Sequence, residues 1–115
     1  MADTTIRHRS PFISAASQAI GASAETITEA GQTIPQNTGN IWIFCPSGDS
    51  LHWHPTGTPT SSFGHAVAAN NWAMLTHAQH GAKIISDDGS DVTCIFVYER
   101  GAGRQDLSYS ISAPF

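Results

Sequence analysis

Apolar positions in this chain fall into short runs divided by Gly, Pro, Asn and Asp. The strongest run is Asn40-Ile41-Trp42-Ile43-Phe44-Cys45, β-branched and aromatic throughout. Its apolar residues occupy both alternating sets, so it predicts a central strand covered on both sides. Pro46-Ser47-Gly48-Asp49-Ser50 has turn chemistry, and Leu51-His52-Trp53-His54 alternates until Pro55 stops it. Residues 55–64 are a loop by composition. Val67, Trp72, Met74 and Leu75 predict two short strands turned at Asn70-Asn71. Lys83-Ile84-Ile85, a turn at Asp87-Asp88-Gly89-Ser90 and a second strong run over 92–98 predict a hairpin, with Gly89 supplying positive φ. Leu107, Tyr109 and Ile111 alternate weakly and predict a final edge strand.

The N-terminal third reads differently. Residues 1–9 are small and polar, without periodicity. Ser10 as N-cap, Pro11 at the first helical position and Gly21 past the end punctuate a short helix, with Phe12, Ala16, Ala19 and Ile20 on one face. The competing reading is an extended arm docked on a partner. Residues 22–38 read as a thin strand, a turn at Gly31 and an extended lead-in. The expected organisation is a polar N-terminal arm over 1–38 and a β-domain over 39–115. The expected fold is mainly β: a small antiparallel β-sandwich or barrel with an extended N-terminal arm that has room for one short helix.

Composition narrows the function classes. Only 12% of the 115 residues are charged and the net charge is −4, while three Trp, five Phe and two Tyr are available to bury. That argues against classical disorder. The cations are Arg7, Arg9, Lys83, Arg100 and Arg104, too few and too scattered for a nucleic-acid footprint. No apolar run approaches the roughly 20 residues that span a bilayer, and MADTTIRHRSPF contains no apolar signal core. Maturation in a reducing cytoplasm is therefore expected. Cys45 and Cys94, both in apolar runs, are expected to be buried thiols, and a bridge is geometrically open only if their strands are neighbours.

Histidine invites the most chemistry, with six residues: His8, His52, His54, His65, His77 and His80. On a strand, His52 and His54 would share a face at a spacing that many metal sites use, and His77 and His80 form a second close pair. They are the candidate metal ligands. Against them, no acidic residue follows His54 until Asp87, so the cupin-like pattern stops at His-x-His, and no Cys-x-x-Cys or His-Glu-x-x-His is present. A trimer would offer a further arrangement, three His-x-His pairs on one axis, which resembles the iron sites of some phage tail spikes and fibres. Asp87-Asp88-Gly89-Ser90-Asp91 superficially matches a calcium loop, but the ligand register fails and a hairpin turn explains it. There is no nucleophile elbow, no phosphate-cradling loop and no paired carboxylate, so no catalytic residue and no cofactor is expected.

The layout from Thr33 to Arg100 resembles that of small phage capsid accessory proteins. The resemblance is carried by the Ser/Thr/Ala-rich arm and by Ile34-Pro35-Gln36-Asn37-Thr38-Gly39-Asn40 leading into Ile41-Trp42-Ile43-Phe44. Ala82-Lys83-Ile84-Ile85-Ser86, a short turn and the strand over 92–97 complete it. It spans about two-thirds of the chain and is one of layout, shared with viral tail and fibre knobs. It implies a capsid decoration or cement protein on the virion surface, made in the host cytoplasm. Its partners would be the major capsid protein and copies of itself, as a homotrimer, with no direct nucleic acid, membrane or small-molecule substrate. Arg7, Arg9 and Phe12 would be the capsid contacts, because Arg and aromatic side chains dominate interface hot spots. Two other classes stay open: a receptor- or glycan-binding knob using Trp53 or Trp72 as a stacking platform, and a small metal-dependent enzyme using His52 and His54 with His65, His77 or His80.

Overall fold

Period-two alternation in the runs around residues 40 and 95 produces the central pair of the molecule. In a computed structural model, which describes residues 11–101, these runs are strands β3 (Thr38–Phe44) and β8 (Val92–Arg100). They pair antiparallel, Ile41 opposite Tyr98 and Ile43 opposite Phe96. On one side β3 pairs with β6 (Trp72–Leu75); on the other, β8 pairs with β1 (Phe12–Ile20), giving a four-stranded sheet in the order β1-β8-β3-β6. The second sheet has the order β2-β7-β4-β5, from β2 (Glu25–Thr26), β7 (Lys83–Ser86), β4 (Leu51–His54) and β5 (His65–Val67). The two sheets form an antiparallel sandwich, and neither closes into a barrel.

The core lies between the sheets. The first contributes Ile20, Ile41, Ile43, Ala73, Leu75, Val92, Cys94, Phe96 and Tyr98, with Cys45 just past the end of β3, and the second contributes Leu51, Val67 and Ile84. Ile41, Cys45, Leu51, Leu75, Cys94 and Phe96 are wholly buried, which is where apolar transfer stabilises most. Tyr98 resolves its polar end by donating from Oη to Gln32 Oε1 at 2.8 Å, as a buried phenol must.

The expected helix over 10–21 is a correction: residues 12–20 form strand β1. Pro11 and Gly21 bound this strand as readily as they would a helix, and Pro11 O accepts from Arg100 N at 2.7 Å. An isolated helix of about ten residues is marginal, whereas β1 is in register with β8 from Ser14 opposite Tyr98 to Ile20 opposite Val92. Thus residues 12–30 of the expected arm lie within the sandwich. Among the described residues the one α-helix, α1 (Ile27–Ala30), falls after that segment, in the stretch before Gly31 expected to be a thin strand. Thr26 and Glu29 close a capping box around its first turn, and Gly31 ends it at φ 125°. The expected edge strand near 107–111 lies outside the described residues.

Gly39 is fixed by close approach. A Cβ there would overlap Cα and N of Gly101, so the start of β3 and the residue just past β8 touch backbone to backbone. Gly39→Ala is therefore expected to destabilise the fold by about 1–3 kcal/mol, the usual cost of overpacking. Urea denaturation checks it, and an unchanged midpoint would remove the close approach from the account.

Candidate functional site

In the first sheet, alternation sends a second set of side chains away from the core. The registers align them across all four strands: Ser17 opposite Ile95, Ile95 opposite Phe44 and Phe44 opposite Trp72 form one row. Ala15, Val97, Trp42 and Met74 form the next. Ile95, Trp72 and Met74 are respectively 43%, 39% and 38% exposed, far from core values for large apolar side chains. Phe44 lies 5.0 Å from Trp72, ring centre to ring centre, and Trp42 meets Trp72 edge-on at 6.5 Å, geometries that favour aromatic pairs. Four strands about 4.8 Å apart and two rows about 7 Å deep give roughly 300 Å² of apolar face. A contiguous apolar face of that size is the scale of the largest patch on a typical monomer, which is often functional.

One charge enters the face, and it is held. Glu99 lies beyond the second row, and its Oε1 accepts from Asn40 Nδ2 at 2.9 Å and from Trp42 Nε1 at 3.1 Å. These bonds fix the indole of Trp42 and keep the buried carboxylate paired. Phe12, one of the expected contact residues, is 41% exposed and lies opposite Glu99 at the same end of the sheet. Arg7 and Arg9 lie outside the described residues.

The histidines are distributed otherwise. His52 and His54 share the outer face of the second sheet, as their spacing predicts, with Leu51 and Trp53 turned towards the core. Trp53 therefore packs inward and lies against His65, 4.7 Å between ring centres and tilted by 35°, rather than standing as an open platform. His52 Nδ1 lies 2.7 Å from Asp87 Oδ1, and Ser50 Oγ donates to the other carboxylate oxygen at 2.7 Å. This carboxylate orients the imidazole through Nδ1 and leaves Nε2 outside that contact. His54 is committed differently: its Nδ1 accepts from Thr56 N at 3.1 Å and Gly57 N at 2.7 Å. With that lone pair used, the neutral ring carries its proton on Nε2, so neither nitrogen offers a metal a lone pair. His52 and His54 thus share a face without forming a donor pair. His80 Nε2 donates to Gly39 O at 2.8 Å, and its ring lies 5.0 Å from that of His77. Among the described residues no three His, Cys, Asp or Glu gather as a metal site.

The remaining polar chemistry serves local structure. Asp88 Oδ1 accepts from Ser86 Oγ, Ser90 N and Ser90 Oγ, closing the turn between β7 and β8. The expected hairpin over 83–98 is a correction: the turn forms, but β7 pairs in the second sheet and β8 in the first, so it crosses between the sheets. The Ser90 backbone bond, followed by the Ser86 hydroxyl, holds Asp88 below its usual range, while desolvation and then the neighbouring Asp88 push Asp49 up. Cys45 and Cys94 are free and buried, and they extend the β3–β8 register by one further pair, so the strands are neighbours. Burial raises the Cys45 thiol and pushes Cys94 up to about 12, which leaves both thiols unreactive at neutral pH. No described helix is long and apolar enough to cross a membrane. The sequence matches no protein-family model, no curated protein and no solved structure at a significant level.

Two outcomes are expected. His54→Ala removes the acceptor for two turn N–H groups and should cost about 1 kcal/mol, the usual worth of a cap-like bond. Chemical denaturation checks this, and a variant as stable as wild type would free His54 for ligation. The buried thiol of Cys94 and phenol of Tyr98, both pushed up to about 12 by burial, ionise near 8.5 and 10 once unfolded. Folding therefore favours their neutral forms. Their contribution is complete below about pH 8.5 and is lost as pH rises towards 12, so melting temperatures should fall across that window. A flat profile from pH 8.5 to 11.5 would show that these groups are not desolvated.

Proposed function

We propose that this chain is a non-enzymatic structural virion protein, a capsid decoration or cement protein that binds the major capsid shell through the outer face of its first sheet. The observation that carries a protein-binding role is the pair of apolar rows from Ala15 and Ser17 across to Trp72 and Met74. A centre rich in Trp, Phe and Met and nearly free of charge matches the buried middle of protein interfaces. Its area is below the roughly 800 Å² per partner of a standard interface, so it would form the desolvated centre inside a wider polar rim. The shell as partner rests on the layout resemblance, with Phe12 at the end of the same sheet as a further contact.

A second reading, a receptor- or glycan-binding knob, draws on Trp72, an exposed indole on an edge strand beside Phe44 and Trp42. Such a ring offers a flat apolar surface to a sugar. Quenching of tryptophan fluorescence across a glycan panel would favour it. For the metal-enzyme reading, His52 keeps the carboxylate contact that commonly orients a ligating imidazole, whereas the Nδ1 of His54 is taken by turn N–H groups.

Co-sedimentation with shells of the major capsid protein made in the same infected cell tests the proposal. Wild type is expected to co-sediment. Ile95→Asp, at a position already open to solvent, should fold normally and bind about thirtyfold or more weakly, the scale of losing a central interface anchor. Equal binding by the variant would move the contact off this face, and no binding by wild type would sink the shell reading.

A further inference from the structure

We infer that strand β1 is a strand-addition edge, and that its occupant is β1 of a second copy of this chain. Among the described strands, three of the four sheet edges are blunted by brevity: β6 has four residues, β5 three and β2 two. The fourth, β1, runs for nine residues and contains no charged residue and no proline. Among the described strands it pairs only with β8. Soluble proteins ordinarily protect long edges with charge, proline or a covering element, because an open edge recruits another strand. Here the strand bears none of the first two along its length, and its only irregularity is a shift between Phe12 and Ser14 at one end.

A second copy suits this edge on three counts. Antiparallel pairing of identical strands is isologous, so it closes on a two-fold axis and leaves no further edge to propagate. Full overlap of residues 12–20 centres the pair on Ala16 and sets Ala15 opposite Ser17 of the second copy. The central side chains are then only Ala and Ser, which admit strands at the usual spacing of about 4.8 Å. With no charge on β1, two copies meet without like charges in opposition, although each chain carries a net −4. The two-fold axis is perpendicular to the sheet. The eight-stranded sheet that results therefore carries both apolar outer faces on the same side. The inference does not depend on what those faces bind, and it differs from the three-fold arrangement implied by the layout resemblance.

Light scattering on the full chain across a dilution series tests it. The expected result is twice the 12.2 kDa chain mass at high concentration, falling towards one chain mass on dilution. Ala15 and Ser17 are exposed, so A15K/S17K and A15E/S17E should fold. Each alone should lose the paired mass, and a mixture of the two should regain it, because lysine then faces glutamate. Should either variant melt early, amide exchange in wild type decides the matter: protection of residues 14–19 should rise with concentration. A trimer, a concentration-independent monomer, or a lysine variant that keeps the wild-type mass would each overturn the inference. So would protection of 14–19 that does not vary with concentration, which would assign the edge to another segment of the same chain.

Discussion

The pairing of β3 with β8 is the constraint on which the rest of the molecule depends, and hydrophobicity alone does not fix its register. A one-residue slip turns every side chain to the opposite face. In most sandwiches that would put polar residues in the core. Here both strands are apolar on both faces: Ile41, Ile43, Phe96 and Tyr98 turn inward, while Trp42, Phe44, Ile95 and Val97 turn outward. The register must be set by groups that tolerate only one arrangement. Glu99 needs Asn40 and Trp42 on its own side, because a slip would send its carboxylate towards the core unpaired. Tyr98 needs Gln32. Gly39 admits the close approach of Gly101, which a residue with a side chain would not. Polar and steric details at one end of the pair thus decide which of two equally greasy faces becomes the core.

That double-faced character was visible in the sequence, although its meaning was not. The run at 41–44 predicts a strand covered on both sides, and the structure supplies a cover, the second sheet, on one side only among the described residues. Periodicity reports which positions are apolar and does not report what buries them. The same limit explains β1. Residues 12–20 contain Ala, Ser, Ile and Gln, which suit a helix or a strand about equally, and the end signals at Pro11 and Gly21 serve both. Pairing with β8, more than seventy residues away, decides the outcome. The short helix α1 did leave a local sign, since Thr26 and Glu29 have the spacing of a capping box. Four residues of helix are too few to show periodicity, and the alternating Thr and Ile around them read as a strand.

The histidines show a comparable division between placement and chemistry. Spacing on β4 places His52 and His54 on one face, and the structure agrees. Whether two imidazoles can act together depends on their lone pairs, which are allocated by partners remote in sequence or hidden in a turn. Asp87, just past the end of the neighbouring strand β7, holds one ring, and the N–H groups of Thr56 and Gly57 use the other. No spacing rule carries that information.

The distribution of charge completes the asymmetry between the sheets. The turns over 46–50 and 87–91 lie together, joined by Asp87 N to Ser50 O at 3.1 Å and by the bond from Ser50 Oγ to Asp87. Asp49, Asp87, Asp88 and Asp91 therefore concentrate negative charge at one end of the sandwich. His52, His54 and Lys83 make the outer face of the second sheet polar. The outer face of the first sheet has only Glu99 among acidic and basic side chains at its paired positions up to that residue, and that carboxylate is consumed within the face. Among the described residues, charge is kept away from one face and from the long edge beside it. That exclusion is difficult to explain by stability, since a lysine or glutamate at an exposed position such as Ile95 would typically change the folding free energy by no more than about 0.5 kcal/mol. It is expected if this face and edge spend their working life against other protein, where an unpaired charge would be far more costly to desolvate.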